Sequence, residues 1–126
     1  MNNFKKTYSL TIAFLLAISQ SAFAQPIQVS PDETTTINLS GIIVGPIVTG
    51  SKKDGTFFKA YHLKLPKPIN FDDSDACGEQ KISSLPLNEF GMDKYKGKRV
   101  HIKAHIICQL RGTGSYHLQD LRIQPQ

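Results

Sequence analysis

The segment Gly97-Lys98-Arg99-Val100-His101-Ile102-Lys103-Ala104-His105-Ile106-Ile107-Cys108-Gln109-Leu110 alternates for longer than any other stretch of the chain. Val100, Ile102, Ala104, Ile106, Cys108 and Leu110 share one parity, and His101, Lys103, His105 and Gln109 share the other. Successive side chains of a strand point to opposite faces, so this pattern predicts a half-buried β-strand with one apolar and one wet face. As a helix, the same residues would scatter histidine and lysine around the whole cylinder. The strand also carries a cysteine, Cys108, on its buried side.

The compartment follows from the first 24 residues, which read as a cleaved secretory signal peptide. Lys5 and Lys6 form a short positive region, Leu10 to Ile18 an apolar one, and Ala22-Phe23-Ala24 a small-x-small cleavage pattern, with Gln25 as the first mature residue. The apolar run is too short to cross a bilayer core of about 30 Å, which takes about 20 residues. No cysteine follows the cleavage site, which argues against a lipid anchor. The expectation is a soluble periplasmic or secreted protein with no membrane span in its mature part. The whole sequence has 15 basic and 10 acidic residues and a net charge of +5; without Lys5 and Lys6 the charge is +3. That suits solubility and does not itself imply a nucleic-acid partner.

Both cysteines, Cys77 and Cys108, belong to the mature part, and an even count in an exported chain reads as a disulfide. A pair of metal-binding thiolates is the competing reading, but it lacks CxxC spacing and a histidine at ligand distance. A domain this small buries only about 60–70% of its unfolded surface, so a covalent staple adds stability it needs.

Residues 25–36, with Pro26, Pro31 and a polar run, read as a flexible lead-in, and 37–124 as a single domain. Strands are expected over 37–48, with Gly41 suggesting a bulge and Gly45-Pro46 a second break, and over 56–65, resuming at 69–71. Between these two strands, Gly50 to Gly55 forms a turn. An acidic loop, Asp72 to Glu79, leads to a short strand over 81–87. Asn88 to Tyr95 is the one plausible helix, capped by Asn88 and weakened by Gly91. The opening strand then runs 98–110, Arg111 to Ser115 forms a hairpin connection, and 116–123 is the last strand, with a bulge between Leu118 and Leu121.

This order predicts an all-β domain with one short helix: a small five-stranded barrel stapled by one disulfide. It resembles the OB-fold, in which the helix between the third and fourth strands plugs one end of the barrel. Gly97-Lys98-Arg99-Val100 followed by Thr113-Gly114-Ser115-Tyr116-His117 is similar to an uncharacterised bacterial domain family of small exported proteins, in which a Gly-basic-x-Val strand start precedes a Thr-Gly-x-x-His hairpin. That resemblance implies no biochemical activity, and an OB-like fold hosts many functions.

Catalytic chemistry finds little to work with. No serine sits in a Gly-x-Ser-x-Gly elbow or a Ser-x-x-Lys motif, and the paired carboxylates Asp72, Asp73 and Asp75 crowd one loop rather than facing each other across a cleft. His101 and His105 lie two pleats apart with Lys103 between them, too far for one metal, so their face reads as solvated. Asp73, Asp75 and Gly78 echo the start of a calcium loop, but Cys77 and Ser84 occupy positions where oxygen ligands are required, so the loop reads as a solvated tip. No cofactor, metal or catalytic residue is expected.

The residues that suit binding are Tyr61 and Tyr116 with Lys52, Lys53, Lys59, Lys64 and His117. Aromatic rings interleaved with cations suit sugar rings or single strands. Export argues against nucleic acid, and a core without tryptophan is expected to claim Phe57 or Phe58, and Tyr61, for packing. The reading is an exported, non-enzymatic binding protein whose partner is another envelope or toxin-like protein. Oligosaccharide or envelope glycan is the alternative, and a hydrolytic enzyme the third.

Overall fold

A computed structural model describes residues 25–126, so the signal-peptide reading of 1–24 lies outside the described residues. The strands are β1 (Ile27–Gln28), β2 (Thr36–Thr49), β3 (Phe58–Asp72), β4 (Gln80–Pro86), β5 (Arg99–Gln109) and β6 (Ser115–Pro125), with a 3₁₀ turn at Met92–Tyr95. All pair in one sheet: β4, β3, β2, β5 and β6 follow one another antiparallel, and β1 lies parallel to the end of β3. The all-β class, the single helical turn and the Cys77–Cys108 disulfide are those the sequence predicts.

Two details of the expected barrel change. Among the described residues there are six strands, not five. The sheet rolls up without closing: beyond the end of β4, Leu87 meets Leu118 of β6 in one isolated parallel bridge, joined by the Asn88 N–H donating to the Leu118 carbonyl at 2.8 Å. The lead-in is also partly tied down, because β1 pairs Ile27 with Phe71 and Gln28 with Asp72, and Val29 is buried.

The core is filled from the inward parities. Val100, Ile102, Ala104 and Ile106 of β5 are buried as the alternation requires, opposite Ile37 and Leu39 of β2 and Leu63 and Leu65 of β3. Leu110, expected on the same face, falls beyond the end of β5 and is 60% exposed. The large rings inside are Phe71 and Tyr116, with centroids 5.8 Å apart. Phe57 lies outside under the Lys52 ammonium, while Phe58 and Tyr61 are half-buried.

Gly41 does not bulge. It pairs with Val100 in an unbroken ladder, and the register shift falls between Val44 and Ile47, at Gly45-Pro46. Gly41 is required for a different reason: a Cβ there would collide with the Lys64 carbonyl oxygen and the Leu63 side chain. Gly41→Ala should therefore force β2 and β3 apart and cost about 1–3 kcal/mol in a urea titration. A loss under half a kilocalorie would show that the approach is not needed. In β6 the expected bulge is present: the register with β5 shifts between Lys103 and His105, and Asp120 takes a left-handed φ of 55°.

The helix expected over 88–95 shrinks to Met92–Tyr95. Gly91 precedes it with φ 80°, a left-handed conformation that no helix continues through, and Asn88 turns its side chain away from any capping role.

Candidate functional site

The segment joining β4 to the 3₁₀ turn is held at both ends. Asn88 is bonded through its N–H to Leu118, and its side-chain amide donates to Gln109 Oε1 at 2.7 Å and accepts from His117 Nδ1 at 2.9 Å. At the other end Met92 is buried in the core. Between these anchors the left-handed turn at Gly91 leaves Phe90 wholly in solvent, 100% exposed. Beside it opens a cleft of about 810 Å³ against the end of β2 and the start of β3. Pro46, Phe58, Tyr61, Leu87 and Met92 supply apolar wall, and Lys59, Glu89 and Asp93 supply charge. A phenylalanine ring held outside by an anchored backbone forgoes about 1.5–3 kcal/mol of burial that a partner would restore.

A second group of side chains surrounds His117. This ring is fully buried and meets Phe58 edge-on at 4.8 Å between centroids. Burial, with the neighbouring His62 imidazole adding to it, pushes its pKa down to about 4, so it is neutral at pH 7. The Asn88 amide faces Nδ1, and the Thr113 hydroxyl faces Nε2 at 2.6 Å. His62 is also held below its ordinary pKa by burial; its Nδ1 lies 3.0 Å from Ser84 Oγ, while its Nε2 is buried with no partner.

The expected binding residues do not converge. Tyr61 and Lys59 line the Phe90 cleft. Lys52 and Lys53 stand in the β2–β3 turn, and Lys64 is exposed on β3 between Ile42 and Ser84. Tyr116 and His117, expected to face a ligand, are both 0% exposed. Tyr116 points inward on β6, and the adjacent His117 is covered by the loops on the other face.

Tyr116 instead secures the acidic loop. Its hydroxyl accepts the Asp73 N–H at 2.8 Å and donates to the Gly78 carbonyl. Burial, and after it the nearby Asp73 carboxylate, pushes its pKa up to about 12. Asp73, expected in a solvated tip, is buried. Burial alone would raise its pKa, but N–H groups from Asp75, Gly78 and Cys77 outweigh it and hold the carboxyl below its usual value. Asp73, Cys77 and Cys108 do cluster within 4.8 Å, yet the two sulfurs are joined to each other and the carboxylate is turned to N–H donors, so the cluster suits no cation. Tyr116→Phe should leave the Asp73 N–H and Gly78 carbonyl without their partner and cost about 1–3 kcal/mol. Amide exchange at Asp73 should quicken with it, and an unchanged rate would refute the anchoring role.

Neither the exposure of Phe90 nor the burial of His62 is legible in the sequence. Phe90 carries no motif, and its exposure depends on the turn at Gly91. His62 sits on the wet parity of its strand and is buried only because loops fold over that face. Comparison of the chain with protein-family models, curated proteins and solved structures returned no match. Among the described residues, no helix is long and apolar enough to cross a membrane.

Proposed function

We propose that this is an exported, non-enzymatic protein that binds another protein through the Phe90 cleft. The observation that carries the reading is the fully exposed Phe90 beside a cleft of about 810 Å³ with largely apolar walls. Interface hot spots combine an aromatic anchor with a pocket that takes an apolar side chain from the partner, inside a polar rim. Lys59, Glu89 and Asp93 supply that rim. The disulfide is compatible with a periplasmic or secreted location, as the signal-peptide pattern suggests. The strand order and rolled sheet support the OB-like reading.

The sugar reading through Tyr61, Tyr116 and the lysines loses its basis, because Tyr116 is core and the lysines are dispersed. The test is retention of envelope proteins on the immobilised chain. Phe90→Asp, a surface change that leaves the core intact, should weaken retention of any specific partner by about tenfold or more. Equal retention by the two forms, with equal thermal stability, would remove the cleft from consideration.

A further inference from the structure

The region of His62 carries an inference independent of the Phe90 cleft. A second cleft, of about 420 Å³, lies between the β2–β3 turn and the β5–β6 hairpin. That volume is within the range of about 300–1,000 Å³ typical of small-molecule sites. Its floor is His62, Ser84 and Pro86, and its sides are hydroxyl-bearing residues and glycine backbone, with no lysine, arginine, aspartate or glutamate among them.

Donor and acceptor counting shows what these walls offer. Four hydroxyl protons are already committed: Thr49 to the Phe58 carbonyl, Thr56 to the Ser51 carbonyl, Ser115 to Gln80 Oε1 and Thr113 to His117 Nε2. The last follows because Asn88 gives its amide protons to Gln109 and accepts from His117 Nδ1–H, leaving Nε2 with its lone pair. Ser84 Oγ has one side-chain partner, His62 Nδ1, and the two groups share one hydrogen bond. His62 is neutral, so the pair holds two protons for that one bond, and one is unspent in either tautomer: on Nε2, the buried nitrogen without a partner, or on Ser84 Oγ. The walls therefore present unused oxygen lone pairs and one unspent donor. A buried polar group left in that state costs about 1–3 kcal/mol until something satisfies it.

We infer that this cleft binds a neutral polyhydroxylated ligand, a saccharide unit, with the His62–Ser84 pair donating its unspent proton to one of the ligand's oxygens and the wall hydroxyls accepting from its hydroxyl groups. A sugar hydroxyl does both at once, accepting from that pair and donating to a neighbouring threonine or serine. A carboxylate or ammonium would lose its water here and find no counter-charge, so the site selects against charged ligands. The glycine backbone at Gly112, where a Cβ would face open space, lets a ring approach that wall closely.

The test is a titration of the ¹⁵N-labelled exported protein, followed by amide shifts, with lactose and diacetylchitobiose as neutral probes and glucuronic acid and glucosamine as charged ones. At least one neutral sugar should give saturable shifts at Gly50, Ser84 and Gly112, with the charged probes about tenfold weaker or worse. His62→Phe, which breaks the pair, should weaken binding about tenfold, while His62→Gln, whose amide can still bond Ser84 and keep a donor, should stay within roughly threefold. Ser84→Ala keeps the ring but removes the hydroxyl proton from the pair, and should also weaken binding; it decides the matter if His62→Phe does not fold. Phe90→Asp should leave sugar binding unchanged. The proposal is overturned by the absence of saturable shifts with every neutral probe, by equal binding of charged probes, by unchanged binding in both His62→Phe and Ser84→Ala, or by loss of binding in Phe90→Asp.

Discussion

Replacing Cys77 and Cys108 together by serine is expected to cost about 3–4 kcal/mol of folding stability. The bond spans 31 residues of sequence, and its removal returns that much loop entropy to the unfolded ensemble. Its location adds to the effect. Cys108 sits at the end of β5, and Cys77 lies in the loop that Asp73 and Tyr116 organise, so the bond joins the core strand to an otherwise loop-bound segment. For a domain of about 100 residues this corresponds to a fall in Tm of about 15–30 °C. Thermal melts of the wild type and the double variant measure it, and a loss below about 1 kcal/mol would show that the loop is held without the bond.

Acidification should unfold the protein earlier than its carboxylates alone would dictate. His117 titrates near 6.5 when unfolded and at about 4 when folded, because the folded state offers its cation neither water nor a counter-charge. A group whose folded pKa is depressed leaves stability intact above the unfolded value and removes it as pH falls toward the folded one. The window therefore runs from about pH 6.5 down to about 4, and the loss across it is about 3 kcal/mol at about 1.4 kcal/mol per unit. His62, shifted the same way by burial, adds to the loss in the upper part of that window. Asp73 contributes at lower pH, as its carboxyl takes up protons below about 3.8 in the unfolded chain. His117→Gln should flatten the slope of unfolding free energy against pH between 6.5 and 4, by about one proton at the steepest point. An unchanged slope would mean that the imidazole gains water before the fold is lost.

The strands and the disulfide could be read from the sequence because period-two alternation reports which face is dry. β5 is the clearest case: Val100, Ile102, Ala104 and Ile106 are buried on the expected parity, and Cys108 bonds to the expected cysteine. Alternation fails where a second layer covers the outward face. His62 and His117 lie on wet parities of β3 and β6, yet the β2–β3 turn and the β5–β6 hairpin flank that face and both rings are buried. Tyr116 is a different case: it shares the dry parity of Leu118, and the loop carbonyl and N–H that satisfy its hydroxyl let the core hold a ring expected to serve binding. Phe90 illustrates the converse. A lone phenylalanine between Glu89 and Gly91 carries no periodic signal, and only the anchoring of Asn88 and Met92 shows that the chain holds it outside.

The central ladder has a kinetic consequence. β2 and β5 pair from Thr36 with His105 to Ile42 with Arg99, joining residues separated by most of the domain, whereas β5 and β6 meet across a short hairpin. Loop closure must be completed before such distant contacts return free energy, so we expect the two ends of the sheet to form first and the β2–β5 seam to set the folding time, in the millisecond-to-second range of comparable β topologies. Until that seam forms, the apolar side of β5 stands open. The interval before it closes is when a newly made chain is most exposed to aggregation, and the cell's folding helpers would act on it then.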